Sequence, residues 1–500
     1  MATTVTPELV SVNPATLQAV GSVELTDPDA VPALVAAART AQVRWRAMGP
    51  EGRSRVLAEV AHVVHARADE IASSIVAETA KPRTEAIANE LYTAVDHATW
   101  LAKHAHRVLR DERVRFSQLH LKTKKAWLVH EPLGVVAAIT PWNIPFAIPF
   151  TQVATAVAAG NGVVLKPSEL TPITGEWVAR IFEGAGVPAG LVQVAQGGGV
   201  LGEALVDDPG IAKVLFTGSV GVGRRVAAAA GARGCPVVLE LGGKDPMVVF
   251  ADADLERAVD GALFASFLNA GQACVSAERI YVEQPLVEEF SRQLTERAQQ
   301  LELGKDVGPL ISERQRDTVE RLSGAPRAAR DGWFLEPTVI RGALSDQEIF
   351  GPVVSIESFD GEDDAVRCAN DTEFGLAASV WSRDLAKADR VARRIDAGMV
   401  WVNDFGYSFT IGQAPWGGVK GSGFGRTSSK HGLYGCVQIK YLDSDRGRLR
   451  PAWWFPYDAT TEHALRSLLD VLYGARVKRV RAAWRYRRDL VHVAKRSLGR

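Results

Sequence analysis

The amino-acid sequence predicts an α/β protein with a doubly wound parallel sheet, a second α/β domain and a small β ribbon. After Gly134, short apolar runs alternate with helix-length segments, which is the pattern of parallel strands joined by helices. A second block with the same alternation runs from about Asp245 to Asp404. Between the N-terminal helices and the first block, residues 113–131 alternate like strands. Because open parallel sheets bind ligands at the carboxyl ends of their strands, the residues just after each run are the candidates for function.

The elements can be assigned in chain order. Apolar residues recur at helical spacing from Glu51 to about Arg110, and residues 113–131 interrupt these helices as a ribbon that we expect to protrude. Helices are predicted over residues 146–159 and 171–185. The predicted strands of the first sheet are the runs GVVAAIT, NGVVLKP, LVQVAQ, AKVLFT and PVVLEL.

Size, charge and cysteine content exclude several classes of protein. The 500 residues, 47% of them hydrophobic, are enough for large buried cores in more than one domain, so a disordered or fibrous protein is excluded. Basic and acidic residues balance at 58 each, so the overall charge predicts no nucleic-acid partner. The four cysteines are too far apart for a disulfide framework or a paired metal site, and no metal is expected. With no secretory leader and no run of ~20 apolar residues, the sequence predicts a cytoplasmic protein.

Cys274 is the first candidate for chemistry. It ends the segment FLNAGQAC, whose glycine and small residues leave the sulfur open to a substrate. A lone cysteine is more often a small buried hydrophobic residue, so this segment alone leaves both interpretations open.

Glu240 closes an apolar strand and is followed within the segment LELGGK by two glycines. One interpretation is a carboxylate exposed at a sheet edge, because charged side chains are rarely buried without a partner. The other is a carboxylate whose pKa is raised at the strand end and which can take a proton from a thiol or a water.

Asn143 lies in the segment TPWNIP, where two prolines fix the loop after the first apolar run. An asparagine in such a loop is usually a turn former. Its side-chain amide could instead donate to a developing oxyanion, and losing such a donor costs ~10²- to 10³-fold in rate.

The segment FTGSVGVG, residues 216–223, runs from a strand end into a helix predicted to start near Arg224. Gly218 and Gly223 would let the backbone approach a phosphate at the positive end of that helix. The spacing is not GxGxxG, and glycine-rich turns between strands and helices are common, so the loop alone is weak support for a phosphate site.

Taken together, these four segments resemble the NAD(P)-dependent aldehyde dehydrogenase superfamily over about residues 10–445. Four further segments follow in the order of that family and at close to its separations: NPAT at 13–16, KPSE at 166–169, EIFGP at 348–352 and PWGGVKGSG at 415–423. The combination is far more specific than any one of its motifs.

The resemblance implies a covalent mechanism. Cys274 is expected to attack the aldehyde carbonyl, while Asn143 and the Cys274 backbone amide stabilise the oxyanion of the thiohemiacetal. Hydride is then expected to leave for nicotinamide, and Glu240 to activate the water that hydrolyses the thioester to the carboxylic acid.

The resemblance also implies a dinucleotide site. Its expected residues follow the strand ends and are Trp142, Lys166, Glu169, Gly218, Ser219, Gly223, Glu348 and Phe350. Lys166 and Glu169 are implied at the adenosine ribose, Glu348 and Phe350 at the nicotinamide ribose and ring, and the others near the pyrophosphate. Because Glu169 would repel a 2′-phosphate, NAD is expected, with NADP as the alternative.

The domain division follows from the same resemblance. It assigns residues 1–112 and 132–243 to the dinucleotide-binding domain and 244–428 to the catalytic domain. Residues 113–131 and 429–445 are the expected oligomerisation strands, through which a homodimer or homotetramer forms, and residues 446–500 are a basic amphipathic extension.

An apolar aldehyde, aliphatic or aromatic, is the expected substrate. The positions that resemble the substrate tunnel of the family are Ile144, Phe146, Ile148, Leu268 and Val275. No arginine stands among them to hold a carboxylate, but one could come from the loop near Phe405, so a succinate-semialdehyde-type substrate stays open.

Two other functions are less compatible with the residues. An acylating enzyme that passes its product to coenzyme A has no use for a hydrolytic base such as Glu240. A catalytically silent scaffold at a membrane surface would not need Cys274, Glu240 and Asn143 together.

The C-terminal extension has a charge of its own. Residues 446–500 contain fourteen lysines and arginines against four acidic residues, a net charge of +10. Aromatic residues at 453–455 and 457 precede a helical pattern that Gly474 interrupts. The extension either packs on the subunit or its neighbour, or lies as an interfacial helix on an anionic membrane, which would make a cytoplasmic protein peripheral at the inner membrane surface.

Overall fold

The N-terminal part of the chain is helical, as its apolar periodicity predicts. In the computed structural model, which describes residues 7–118, 121, 123–447, 450–474 and 476–497, a β hairpin precedes these helices. The elements are β1 (Glu8–Val12), β2 (Ala19–Glu24), α1 (Val31–Ala47), α2 (Gly49–Ala66), α3 (Ala68–Thr79), α4 (Arg83–Glu85) and α5 (Tyr92–Val108), with a π-helical segment (Ala86–Leu91) before α5. Helices α2 and α5 share one apolar core through residues such as Leu57, Val60 and Leu101.

The first large sheet contains all five predicted strands. The next elements are β3 (Glu112–Val114), β4 (Lys124–Pro132), β5 (Val135–Ile139), α6 (Ala147–Ala158), β6 (Gly162–Lys166), α7 (Pro172–Gly184), β7 (Val192–Val194), α8 (Gly199–Asp207), β8 (Ile211–Thr217), α9 (Val220–Ala232) and β9 (Val237–Glu240). Strands β5 to β9 are parallel, and α6 and α7 match the two predicted helices. Helix α9 starts at Val220 rather than near Arg224, because Ser219 is the last residue with extended backbone.

The second predicted block forms a second sheet, all of it parallel. Its elements are β10 (Asp245–Val249), α10 (Leu255–Phe267), β11 (Ala277–Glu283), α11 (Val287–Ala298), α12 (Glu313–Ser323), β12 (Thr338–Arg341), β13 (Val353–Phe359), α13 (Gly361–Asn370), β14 (Ala377–Trp381), α14 (Leu385–Ala392) and β15 (Met399–Val402). The strand order is β12-β13-β11-β10-β14-β15. Apolar residues on both faces, such as Met247 and Val248, are fully buried, as expected for a sheet covered on both sides.

The segment after the second sheet differs from the predicted boundaries. Strand β16 (Gly423–Phe424) returns to the first sheet, where it pairs antiparallel with β9 in the order β16-β9-β8-β5-β6-β7. Residues 429–435, predicted as part of an oligomerisation strand, form helix α15 (Ser429–Gly435), because Leu433 is buried in the apolar core of the first sheet. Strand β17 (Val437–Asp445) then completes a small sheet in the order β17-β4-β3.

The C-terminal extension is helical, with α16 (Ala459–Tyr473), α17 (Arg476–Arg485) and α18 (Arg487–Ser497). The described residues group into two compact units: 7–110 with 130–438, and 111–129 with 439–497. The first unit contains both large sheets, and the candidate site lies within it. In the part of the chain that the structure describes, no helix is long and apolar enough to cross a membrane.

Candidate active site

Two adjoining cavities lie beyond the carboxyl ends of β5, β8 and β9. The smaller, of about 270 Å³, is lined by Cys274, Asn143, Glu240, Glu348 and Phe350 among others. The larger, of about 770 Å³, is lined by Lys166 and Glu169, and both cavities share Trp142, Gly218 and Ser219 as wall residues. The structure therefore brings together ten of the eleven site residues predicted from the sequence, and Gly223 is the exception.

The Cys274 thiol and the Glu240 carboxylate, which lies at the end of β9, line the same cavity. Glu240 is 2% exposed and accepts a hydrogen bond from Trp416 Nε1 at 3.4 Å. Burial raises the pKa of Glu240 to about 6. Burial and the charge of Glu240 raise the pKa of the Cys274 thiol, so the thiol is protonated and Glu240 is placed to accept its proton.

Two residues of the PWGGVKGSG segment, Trp416 and Gly423, contact Glu240. Gly423 pairs with Glu240 across β16 and β9 at φ 110°, and a Cβ there would lie 2.1 Å from the Leu239 carbonyl oxygen. Only glycine fits this close approach. Gly423 of this segment thus holds the backbone of Glu240, and Trp416 holds its carboxylate.

Asn143 is buried and directed at the loop that carries Cys274. Its Nδ2 donates to the Gln272 carbonyl at 3.1 Å, which leaves the second N–H of the amide for another acceptor. The backbone carbonyl oxygen of Asn143 accepts from Asn269 Nδ2 at 2.9 Å. These contacts hold Asn143 against the loop before Cys274, and both residues line the same cavity.

The loop before Cys274 has an unusual backbone. Asn269, Ala270 and Gly271 are consecutive left-handed residues, with φ of 54°, 55° and 69°. A non-glycine residue in this region costs of order 1–3 kcal/mol and is found where surrounding contacts enforce it. Here Asn269 N donates to Glu85 Oε1 at 3.1 Å, and Gln272 Oε1 accepts from Ile311 N at 2.9 Å. The asparagine and glutamine of FLNAGQAC thus position the cysteine, a role that the sequence analysis missed.

A buried lysine–glutamate pair, also missed, holds the Asn143 loop. Lys81 Nζ lies 2.9 Å from Glu90 Oε1 and donates to the Asn143 carbonyl at 2.7 Å. Glu90 Oε2 accepts from Phe146 N at 2.7 Å. No local pattern identifies this pair, because its contacts join residues that are 56 and 62 positions apart.

A second buried pair holds the EIFGP segment. Lys244 Nζ lies 2.7 Å from Glu278 Oε2. Glu278 accepts from the backbone N–H groups of Ile349 and Phe350, at 2.9 and 2.8 Å. Lys244 follows the two glycines of LELGGK and directly precedes a buried strand. A charged residue at that place was the sequence signal for this buried pair.

Glu348 and Phe350 project from this anchored segment into the smaller cavity. Glu348 Oε1 accepts from Gly243 N at 3.1 Å, and burial together with the charge of Glu278 raises the pKa of Glu348 to about 8. Phe350 has φ 56° and meets the Trp142 ring edge-on, with centroids 5.5 Å apart. Both side chains line the cavity that also contains Cys274.

The larger cavity has the donor set of a dinucleotide site. Lys166 Nζ donates to the Gly197 carbonyl at 2.6 Å and lies 3.5 Å from Glu169 Oε2, so its charge is fixed beside a half-exposed carboxylate. Ser219 precedes α9 with its side chain unbonded to the helix, and a Cβ on Gly221 would meet no atom within 4 Å. The first turn of α9 is thus open to an anion.

Gly223 does not belong to that open turn, and the prediction that it approaches a phosphate is wrong. It is buried inside α9, where a Cβ would lie 2.3 Å from Leu241 Cδ2. The helix starts four residues earlier than predicted, so Gly223 faces the sheet and its role is helix–strand packing.

The apolar residues expected along a substrate tunnel are only partly placed there. Ile148 lines the cavity that contains Cys274, and Ile144 packs with Ile148 and Phe409. Phe146 is fully buried beneath α6 and Val275 lies in the core of the second sheet, so the expectation is wrong for these two. Cys274, the residue before Val275, lines the cavity instead.

An aromatic wall lies on the Glu240 side of Ile148. The Phe409 and Trp416 rings have centroids 5.0 Å apart, and both residues line a small cavity with Ile148 and Glu240. Among the described residues, no group of three or more histidine, cysteine, aspartate or glutamate side chains could hold a metal ion. The site therefore presents a thiol, a base and an amide donor beside apolar surface.

Comparisons with known proteins agree with this geometry. The model of the aldehyde dehydrogenase family matches residues 2–442. The 4,4'-diapolycopene aldehyde oxidase of a Methylomonas species is 36% identical over 489 residues, which cover 93% of this chain and 91% of that protein.

Solved structures show the same fold. The betaine aldehyde dehydrogenase of Staphylococcus aureus in complex with NAD+ superposes with a TM-score of 0.84 at 31% identity, covering 90% of this chain and 94% of that chain. An aldehyde dehydrogenase from Brucella melitensis biovar abortus gives a TM-score of 0.84 at 32% identity, covering 88% of this chain and 95% of that chain. The family match over residues 2–442 and the agreement in fold show that this chain belongs to the aldehyde dehydrogenase family and is an oxidoreductase that acts on aldehydes.

Proposed function

We propose that this protein oxidises an apolar aldehyde to the carboxylic acid through a thioester on Cys274, with NAD as the preferred hydride acceptor. The observation that carries the proposal is that the Cys274 thiol shares one cavity with the buried Glu240 carboxylate, whose charge raises the pKa of the thiol. Asn143 shares their cavity. A nucleophile, a base and an oxyanion donor are the parts that acyl transfer requires.

The first step forms a carbon–sulfur bond. The Cys274 sulfur attacks the aldehyde carbon while Glu240 takes the thiol proton, and the carbonyl oxygen becomes an oxyanion. The free N–H of the Asn143 amide and the Cys274 backbone N–H stabilise that charge. When bound, the nicotinamide dinucleotide accepts the hydride that the tetrahedral carbon loses. The carbon–oxygen double bond then re-forms, which leaves a thioester on the enzyme.

The second step breaks the carbon–sulfur bond. After Glu240 has released its proton, the carboxylate accepts a proton from a water molecule, whose oxygen attacks the thioester carbon. The tetrahedral intermediate expels the Cys274 sulfur, and the carboxylic acid leaves. Glu240 thus serves both halves of the reaction, which is why we prefer hydrolysis over transfer of the acyl group to coenzyme A.

The Asn143 amide is the next testable part. Asn143→Ala is expected to lower kcat by ~10²- to 10³-fold, since the oxyanion loses a preorganised donor. Asn143→Asp should be at least as damaging, because it places a negative charge beside the oxyanion. Steady-state NADH formation measures both variants, and melting temperatures near that of the wild type exclude unfolding. Full activity in Asn143→Ala would remove this residue from the mechanism.

The larger cavity supports NAD as the preferred dinucleotide. Trp142, Ser219 and the first turn of α9 would hold the pyrophosphate, and Lys166 with Glu169 the adenosine ribose. Glu348 and Phe350 would hold the nicotinamide end. The relative from Staphylococcus aureus, 31% identical, was solved with NAD+.

The Glu169 carboxylate is expected to set the cofactor preference. Glu169→Gln removes its repulsion of a 2′-phosphate and should shift the ratio of kcat/KM for NADP to that for NAD upward by about tenfold. Glu183→Gln, at an exposed position of α7 outside the cavity, is the matched control. A ratio that moves equally in both variants would contradict the assignment.

An apolar substrate is favoured by the walls near Cys274. Ile148, Phe409 and Trp416 supply apolar surface, and residues 403–412, the loop near Phe405, contain no arginine. This weakens the semialdehyde alternative. The Methylomonas relative is named for a carotenoid aldehyde, which is a long apolar molecule. We therefore place the substrate among long aliphatic or polyene aldehydes.

The proposal is tested by mixing the purified protein with NAD and a series of aldehydes while following NADH absorbance. We expect kcat/KM to rise with apolar chain length and to be low for succinate semialdehyde, with the carboxylic acid as product. Formation of an acyl-coenzyme A product, or a preference for the charged aldehyde, would overturn the substrate assignment.

We also propose that the protein forms homodimers or homotetramers through β17. This strand ends the small sheet and exposes Ile439, Tyr441 and Leu442 by 62%, 52% and 53%. Exposed apolar residues on an edge strand favour pairing with another strand. Light scattering coupled to gel filtration measures the mass, and a monomer at working concentration would refute this.

A further inference from the structure

The C-terminal extension forms a helical hairpin with polar contacts between its arms. Thr461 Oγ1 lies 3.2 Å from His492 Nε2, and Ser467 Oγ donates to Asp489 Oδ2 at 2.7 Å. The later residue of α16 contacts the earlier residue of α18, so the two arms are antiparallel. Tyr486 N still donates to a helical carbonyl at 2.8 Å between α17 and α18, so these two form one nearly continuous arm.

Two of the four acidic residues of the extension are used inside the hairpin. Asp458 accepts from Thr461 N at 2.7 Å and pairs with Arg496 at 3.1 Å. Asp489 accepts from Ser467 and lies 3.5 Å from the His463 ring. The net charge of the extension is +10, and the side chains that carry it therefore lie mainly on the outer surface of the hairpin.

The outer face of the second arm mixes apolar and basic side chains. Val480, Trp484 and Val491 recur at helical spacing and are 74%, 75% and 53% exposed. Exposed basic residues surround them: Arg479, Arg481, Arg485, Arg487, Arg488 and Lys495. Among the described residues, no carboxylate lies within ion-pair distance of any of these six. The face thus offers unpaired positive charge around apolar side chains.

An aromatic loop lies at the far end of the same arm. Trp454, Phe455 and Tyr457 are 57%, 71% and 68% exposed. Arg496 of α18 fixes this loop, because its Nε donates to the Ala452 carbonyl at 2.7 Å and its Nη2 to the Trp454 carbonyl at 2.9 Å. Large aromatic rings held out into water are typical of surfaces that bind the boundary between lipid and water.

We propose that the outer face of α17 and α18, together with the aromatic loop at residues 454–457, docks on an anionic membrane surface. Charge complementarity carries the choice of partner: the extension holds +10, and since the whole chain is neutral, residues 1–445 hold −10. An anionic surface therefore attracts the extension and repels the remainder. Val480 and Val491 favour lipid over nucleic acid. Aliphatic side chains between arginines contribute favourable binding free energy when they enter an apolar phase, and none when they contact a phosphate backbone.

The docking goes beyond the oxidation chemistry and does not depend on it. Its consequence for catalysis rests on the proposed function: apolar aldehydes partition into lipid, so a docked enzyme works where its substrate is concentrated. Vesicle binding and aldehyde oxidation are measured separately, so failure of one leaves the other standing.

The test measures co-sedimentation of the full-length protein with phosphatidylcholine vesicles, with and without phosphatidylglycerol, at physiological salt. We expect strong binding only when the anionic lipid is present, and weakening as salt is raised. A triple variant, Arg481→Glu, Arg488→Glu and Lys495→Glu, should bind roughly a hundredfold more weakly. The matched control, Arg44→Glu, Arg107→Glu and Arg257→Glu, reverses three exposed arginines outside the extension and should retain binding.

A second variant separates the apolar contribution from the charge. Trp484→Ser with Phe455→Ser should weaken binding to anionic vesicles by about tenfold, whereas Val43→Ser with Leu385→Ser, at sites 62% and 64% exposed, should leave it unchanged. Melting temperatures confirm that each variant is folded.

Several outcomes would overturn the proposal. The wild type could fail to bind anionic vesicles, or the control triple variant could lose as much binding as the test variant. Tighter binding to a polynucleotide than to the vesicles would assign the surface to nucleic acid. A change of oligomeric mass in the test variant, with vesicle binding retained, would assign it to a subunit interface.

Discussion

Replacing Cys274 by alanine is expected to lower the rate of aldehyde-dependent NADH formation by at least about 10⁴-fold, the largest effect of any single substitution. The sulfur forms the bond that makes hydride loss possible, and no neighbouring side chain can take its place. The cavity and its dinucleotide contacts keep their shape, because alanine only removes one atom from the wall. NAD titration by fluorescence quenching should therefore give an affinity close to that of the wild type.

Cys368→Ala is the control for this experiment. Cys368 is buried on α13 and lines neither cavity, so its sulfur has the role of a small hydrophobic group. This variant should retain activity. Turnover by Cys274→Ala at the wild-type rate would be incompatible with a thioester mechanism.

Glu240→Gln is expected to have the second largest effect, a loss of ~10²- to 10⁴-fold in kcat at neutral pH. Glutamine has the shape of glutamate and can still accept a hydrogen bond from Trp416 Nε1, but it cannot accept a proton. Attack by the thiol and attack by water are therefore both slowed. Raising the pH should restore only the formation of the thioester, because hydroxide can ionise the Cys274 thiol without Glu240.

Formation and hydrolysis of the thioester can be measured separately by rapid mixing. At alkaline pH, Glu240→Gln should release about one NADH per active site in a burst and then turn over slowly, with the acyl group retained on the protein. Mass spectrometry of the quenched enzyme detects that acyl group. Steady multiple turnover without a burst would mean that another base hydrolyses the thioester.

The pH profile of the wild type follows from the same carboxyl group. Burial raises the pKa of Glu240 to about 6, and only the carboxylate form can accept the thiol proton. The value of kcat/KM, which reports the free enzyme, should therefore fall as the pH drops below about 6 and level off above it. The acidic limb should be absent in Glu240→Gln.

The sequence was informative where function depends on strand ends. Strands β5 to β9 appear as apolar runs, and residues at or just after their carboxyl ends, such as Asn143, Lys166 and Ser219, line the cavities. Periodicity identifies these runs because a strand buried on both faces is continuously apolar. The same logic predicted the second sheet.

Local patterns were misleading where a side chain can face either of two sides. Gly223 was assigned to a phosphate loop, but α9 begins early enough to turn it toward Leu241. Phe146 follows the Asn143 loop and yet points into the core. One residue of shift in a helix start rotates the following side chains by about 100°, and the sequence does not fix that start to one residue.

The two buried lysine–glutamate pairs were not predicted from the sequence. Lys81 and Glu90 hold the Asn143 loop, and Lys244 and Glu278 hold the segment of Phe350. Each lysine and glutamate is compatible with a surface position when considered alone, and only the fold brings them together in a buried place. Lys81 and Glu90 are nine positions apart, but the loop residues that they hold, Asn143 and Phe146, are 62 and 56 positions away, outside any short window of sequence.

The protonated state of Cys274 has a consequence for the lifetime of the enzyme. Peroxides and electrophilic metabolites attack thiolates far faster than thiols, and here the resting sulfur holds its proton. Between turnovers, the protonated thiol is therefore expected to resist over-oxidation and adduct formation. On the proposed mechanism, the Cys274 sulfur becomes nucleophilic only when Glu240 takes its proton, as a carbonyl carbon arrives to accept the electron pair of the sulfur.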